Sequence, residues 1–359
     1  MCRAMRIVFF FGFAAALGLL STPQAAAQNK TESVAKKELS NPFFVFNNGV
    51  KDEKYDTPEK QARMLKELGY DGMEKNGLDG FHEVRAELDR QGLKLYTVYV
   101  HVNLDPDTPH YDQRLPEVIR SLKGRETMLW LLMTSKGKTF SPSAREGDAV
   151  AVPLLREIAD LAQASGIRIM LYPHIGVWME SVSHAIELVK KVNRRNVGLT
   201  FNLCHWLALT KPEEEKSLRP LLEQAMPYLF AVSLNGATHI ADKSNRPKWE
   251  SLIQPLGQGT FDTYGLIRTL RDLGFTGPVG LQCYNVKGDK YENLKTSMAT
   301  WRQYRQRLRA ELNKWIETTN DQGRIPEPSE VAAAKGATKP GGNPNAEAIR
   351  KPDEAKSRP

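Results

Sequence analysis

The 359 residues are 41% hydrophobic, enough to bury one large core, and carry a formal net charge of +8. The visible excess of Lys and Arg lies in 302–314 and in 335–358, without the aromatics that interleave a nucleic-acid groove, which argues against nucleic acid as a partner. Of three cysteines only Cys204 and Cys283 fall in the part expected to fold, too few for a disulfide scaffold.

The first 27 residues read as a leader. Arg3 and Arg6 precede an apolar run, Ile7 to Leu20, too short to span a bilayer comfortably, and Ala25 to Ala27 supply a cleavage site before Gln28. The expectation is an exported protein, periplasmic or extracellular, with no membrane span once the signal is cut; an uncleaved anchor is the alternative. A linker covers 28–41.

From Phe43 the chain alternates between strand and helix periodicities. Phe43 to Phe46 is an aromatic and β-branched run ending at Asn47. Thr57 as N-cap, Pro58 at the first helical position and Glu59 start a helix that stops at Leu68 before Gly69. Strands follow at Asp71–Lys75, Leu93–Val102 and Thr127–Met133, with helices to Arg90 and around Leu115–Leu122 between them. A Ser-, Gly- and Lys-rich loop leads to a helix ending at Ala164.

Ile167–Leu171 and Val197–Leu203 are two apolar strands, and Met179–Val192 between them has helical spacing. A right-handed crossover brings both strand ends to one edge, so His174 and His205 should share a rim. Tyr228–Asn235 and Val279–Tyr284 complete eight strands, the last entered from the helix Thr263–Leu273. A long helix, Tyr291–Thr318, follows. The residues from 320 onward are Pro-, Gly-, Ala- and Lys-rich without periodicity and read as a disordered tail.

Eight alternations predict an α/β chain closed into a single-domain (β/α)8 TIM barrel over 42–319, with an open doubly wound sheet as the alternative. In a barrel the site lies at the C-terminal strand ends. Those ends carry Asn47, Glu74, His101, Tyr172, His174, Asn202, His205, Asn235 and Gln282. The set is polar and mostly neutral.

The runs LYPHIG, VGLTFNLCHW, FAVSLNGA, PLGQGTFD and VGLQCY, in that order, resemble the xylose isomerase-like TIM barrels, the sugar phosphate isomerase/epimerase superfamily. The resemblance covers about Phe43 to Arg307. It implies a divalent metal held by acidic and histidine ligands, and here the chain departs from the pattern. Tyr172 stands where the family has Glu, Asn202 where it has Asp, Ser233 and Gly236 where it has His and Asp, and Gln282 where it has Glu. No metal ligand is assigned and no cofactor is expected, since neutral amides and a phenol make a poor cation cage; a divalent metal is the alternative, with the family's ligands missing. Amides suit the hydroxyls of a neutral sugar.

Glu74, His174 and His205 are the candidate catalytic groups, and Asn47, His101, Tyr172, Asn202, Asn235 and Gln282 the candidate substrate contacts. Structural readings stand beside these: either histidine can instead bond a loop carbonyl, and His101 can fill a barrel layer. Trp178 and Trp206 either stack on a sugar or pack inside. The expected activity is isomerase- or epimerase-like proton transfer on a small carbohydrate; the alternative is a non-catalytic carbohydrate-binding barrel. A DNA-repair endonuclease of the same superfamily is disfavoured, because only His101 and His205 stand where its zinc ligands are needed.

Overall fold

A computed structural model describes residues 39–137, 139–239 and 248–321. The expected leader, the linker up to residue 38 and the expected tail from 322 lie outside them. Strands β1 (Phe43–Val45), β2 (Gly72–Asn76), β3 (Lys94–Asn103), β4 (Met128–Thr134), β5 (Ile169–Leu171), β6 (Val197–Asn202), β7 (Leu229–Leu234) and β8 (Val279–Leu281) form a closed barrel in chain order. All neighbours are parallel, and β1 closes on β8 with Phe44 opposite Gly280. The barrel expected from sequence is therefore the one observed.

Ten α-helices lie among the described residues. They are α1 (Pro58–Leu68), α2 (Phe81–Arg90), α3 (Leu115–Ser121), α4 (Asp148–Ala164), α5 (Val182–Val192), α6 (Leu203–Leu209), α7 (Leu218–Ala225), α8 (Trp249–Leu252), α9 (Thr263–Asp272) and α10 (Lys290–Asp321). At α1 the local chemistry is explicit. Thr57 Oγ1 accepts from the Lys60 N–H at 3.3 Å, Pro58 occupies the first turn, and Gly69 ends the helix at φ 86°. None of the described helices is long and apolar enough to cross a membrane.

Strand alternation sorts the core into two bodies. Phe43, Val45, Leu129, Leu131, Ile169, Leu171, Leu199 and Val232 point outward and pack under the helices. Phe44, Phe46, Tyr96, Met128, Trp130, Leu132, Met170, Tyr172 and Ala231 fill the barrel. Trp130 is the centre of this inner body: its ring lies 4.8 Å from Phe46 and 5.1 Å from Tyr172, and its N–H points to Met170 Sδ at 3.1 Å. The aromatics fit because β8 supplies Gly280, where a Cβ would sit 2.7 Å from the Phe46 ring. A register shift between β2 and β3 pairs Met73 with Leu95 but Glu74 with Thr97, so one extra β3 residue, Tyr96, is accommodated beside Glu74.

The structure corrects the sequence reading at β6. The strand stops at Asn202, and Leu203, Cys204 and His205 already belong to α6. A short apolar run such as LCHWLAL fits either periodicity, and here burial of Cys204 and Trp206 on a helix decides it. Helices α6, α7 and α8 have no counterpart in the sequence reading. The last helix reaches Asp321, so the first two residues of the expected tail are helical.

Trp130→Ala is expected to lower the unfolding free energy by about 3–5 kcal/mol through the cavity it leaves, and Thr57→Ala by about 1 kcal/mol through the lost cap. Urea unfolding of both variants checks this; equal losses would mean that the inner body is not packed around Trp130.

Candidate functional site

Glu74 projects into the mouth from β2 and is only 3% exposed. Its Oε2 accepts the backbone N–H of Asn47 at 2.7 Å, which ties the end of β1 to β2. Burial pushes its carboxyl up to about 7, against the pull of the Asn47 N–H and of the Lys75 ammonium. Lys75, the next residue along the strand, donates to the Asn76 carbonyl oxygen.

Across the mouth stand the two histidines. The His174 ring follows β5 and holds the Ile175 carbonyl oxygen with Nδ1 at 2.7 Å. A carbonyl only accepts, so Nδ1 carries the proton and Nε2 is left with a lone pair. His205, in the first turn of α6, stacks on it with ring centroids 3.9 Å apart. Burial drives the His205 pKa far down, with His174 adding to the effect, and burial lowers His174 as well. Both rings are therefore neutral at neutral pH. Nδ1 of His205 is buried without a hydrogen-bond partner.

Tyr172 lies between the two sides. Its ring meets His205 edge-on at 5.8 Å and Tyr99 at 4.9 Å, and the Glu74 carboxylate acts on both phenols. Burial keeps the Tyr172 hydroxyl protonated, with a hydrogen bond from the Gln282 side chain working the other way. In an eight-stranded ring β2 and β6 are four strands apart, so Glu74 and His205 stand on opposite sides of the mouth.

The amides have other duties. Asn202 donates from Nδ2 to the Pro173 carbonyl at 2.9 Å and accepts from Ser233 Oγ at 2.9 Å, and it is 1% exposed. Gln282 Oε1 accepts from Asn48 Nδ2 and from the N–H groups of Cys283 and Tyr284, each at 2.9 Å. Asn235 is fully buried and donates to the Gly236 and Leu252 carbonyls, both at 2.7 Å, pinning the loop after β7 to α8. Asn47 contributes its backbone N–H to Glu74. His101 is exposed near the end of β3, edge-on to Tyr99 at 5.6 Å, and does not fill a barrel layer.

Trp178 and Trp206 pack inside. Trp178 is 1% exposed and donates its indole N–H to the Ala144 carbonyl, and Trp206 is 7% exposed. The aromatics beside His205 are instead Trp249, edge-on at 5.7 Å, and Tyr284, 6.4 Å further out and 53% exposed. Tyr284 ends the VGLQCY run two residues after Gln282, a position that could have flagged it. Trp249 sits in a four-residue helix with no periodic signal. Among the described residues, no group of three or more His, Cys, Asp or Glu is placed to hold a metal ion.

Residues 62–310 match the family described as xylose isomerase-like TIM barrel. A curated inosose isomerase of Bacillus licheniformis is 29% identical over 161 residues, 42% of this chain and 54% of the relative, so the chain spans about half the length of the curated relative it matches. Among solved structures, the IolI protein with a bound zinc atom superposes with a TM-score of 0.57 at 17% identity, over 74% of this chain and 99% of that one. The 3-keto-D-glucoside 4-epimerase of E. coli does so with a TM-score of 0.57 at 18% identity, over 74% and 100%. At these identities the superpositions establish the fold.

The raised Glu74 pKa has a stability consequence. A carboxyl more basic in the folded protein than its ordinary value of 4.5 contributes stability in full below that value and loses it as the pH rises through about 7. Glu74→Gln should therefore remove a decline of up to about 3 kcal/mol between pH 5 and pH 8. Urea midpoints of the two proteins at both pH values check it, and parallel pH profiles would contradict the buried, shifted carboxyl.

Proposed function

The chain belongs to the xylose isomerase-like TIM barrel family, and on that premise we propose that it is an exported isomerase- or epimerase-like enzyme of a neutral carbohydrate that transfers protons without a bound divalent ion. The observation that carries the reading is the opposition of Glu74, near neutrality, to a pair of neutral imidazoles. A group that titrates near 7 can take or give a proton at that pH, and a neutral imidazole can only take one until it is charged. Carriers on opposite sides of one mouth suit removal of a proton beside a carbonyl on one face of a sugar and its return on the other.

The metal that the family implies does not fit this donor set. A divalent cation asks for anionic oxygens or imidazoles to offset the loss of its water. Here Glu74 stands across the mouth from His174 and His205, so that among the described residues no three such groups converge. The Asn202 and Gln282 oxygens already accept protein donors, and burial keeps Tyr172 protonated. Charge that develops on a sugar oxygen is then met by neutral donors, the Tyr172 hydroxyl first among them. Tyr284 and Trp249 offer an apolar wall for a ring face.

The engaged amides also favour a second reading, a barrel that binds sugar and has lost turnover. The two separate cleanly. In the first, Glu74→Gln and His205→Ala each abolish turnover and exchange of a sugar C–H with solvent deuterium, while sugar affinity changes little. Sugar binding with no exchange in the wild type supports the second.

Elemental analysis of the purified protein is expected to find no stoichiometric Mn, Zn or Co; about one ion per chain, lost in the His174→Ala, His205→Ala double variant, would contradict the metal-free site. Tyr284→Ala should weaken sugar binding roughly tenfold, in line with about 1–3 kcal/mol for an aromatic contact of this size, and calorimetric titration reads it directly.

A further inference from the structure

Beside the mouth, and sharing Asn202 and His205 with it, lies a cavity of about 380 Å³ between the loop after β5 and helices α6 and α7. Its volume falls in the range of small-molecule sites, and none of Glu74, His101 or Tyr172 lines it. Pro173, Asn202 and His205 do, so the cavity borders the rim at the ends of β5 and β6. His205 thus touches both spaces: it lies against His174 and meets Trp249 edge-on at the mouth, and it also lines the cavity.

The lining decides what can bind there. Ser181, Ser183, Thr210 and Ser217 supply hydroxyls, and Trp206 and Leu209 supply apolar surface. Leu209 is 42% exposed, one of two large hydrophobic side chains left open among the described residues; the other is Tyr284 at the mouth. Apolar faces set among neutral donors and acceptors match the alternation of C–H and O–H on a sugar ring.

An anion does not match. No Lys or Arg lines the cavity, and its charged wall residue is Glu180. The α5 N-terminus that reaches this wall is capped by Ser181 Oγ, which accepts the His184 N–H at 3.2 Å, and Glu180 Oε1 holds the Gly176 N–H nearby at 2.9 Å. Phosphate sites rely on free N–H groups at a helix start or on Arg and Lys.

Resting on the sugar-directed reading of the mouth, we propose that this cavity is a second sugar subsite, so that the substrate is a neutral glycoside with one ring at the mouth and its partner ring in the cavity, not a sugar phosphate or a free monosaccharide.

The test is calorimetric titration of the full chain with glucose, xylose, cellobiose, xylobiose, maltose, trehalose and glucose 6-phosphate. Two variants narrow the cavity from exposed helix positions outside the catalytic set, Ser183→Phe and Gln224→Trp. The expected result is a disaccharide that binds at least tenfold more tightly than its own monosaccharide, an advantage both variants erase while monosaccharide affinity stays within twofold. Monosaccharide binding with no disaccharide gain, a gain that survives in both variants, or tightest binding of glucose 6-phosphate overturns the subsite and leaves the mouth's function standing. Binding of none of the seven overturns the sugar-directed reading as well.

Discussion

Pairing of β1 with β8 closes the sheet, and the properties of the site depend on that closure. Once the ring is closed, each strand residue faces either the helices or the interior, and the interior is packed with Phe44, Phe46, Trp130 and Met170. The polar groups at the strand ends therefore stand on a dry aromatic floor. The same dryness that excludes water raises the Glu74 carboxyl and lowers the His205 imidazole.

A site without fixed charge places its own demands on hydrogen bonding. In a low dielectric an unpaired polar group is costly, and the mouth answers with a network of neutral partners. Asn202 is held between Pro173 and Ser233, and Gln282 collects three N–H donors. These amides orient the ends of β5 to β8 instead of waiting for a ligand. The groups at the mouth without a full set of partners include the Glu74 carboxyl, the imidazole pair, the Tyr172 hydroxyl, the buried Asn235 Oδ1, and the exposed faces of His101 and Tyr284.

The alternation of periodicities made the barrel legible in the sequence, and the crossover rule placed His174 and His205 on one rim, where their rings stack. Glu74 was legible because the sequence put it near the end of a short strand, Asp71–Lys75, although the observed strand runs on to Asn76. What remained hidden depended on three-dimensional neighbours. Whether Asn202 faces a ligand or a carbonyl depends on where Pro173 lies, 29 residues away. That Trp178 packs inside follows from the loop after β4, whose Ala144 carbonyl accepts its indole N–H. The helix α6 was hidden because a short apolar run fits strand and helix equally.

The account turns on one group, a buried Glu74 that shares its proton near neutral pH. Carbon-13 NMR of the protein labelled at the glutamate side-chain carboxyl, titrated from pH 4 to pH 9 with Glu74→Gln as the assignment control, measures this directly. The account predicts one resonance, missing in the variant, that titrates near pH 7. A Glu74 resonance that titrates at the ordinary carboxylate value of 4.5, or one displaced by added Mn²⁺ or Zn²⁺ at micromolar concentration, would contradict it.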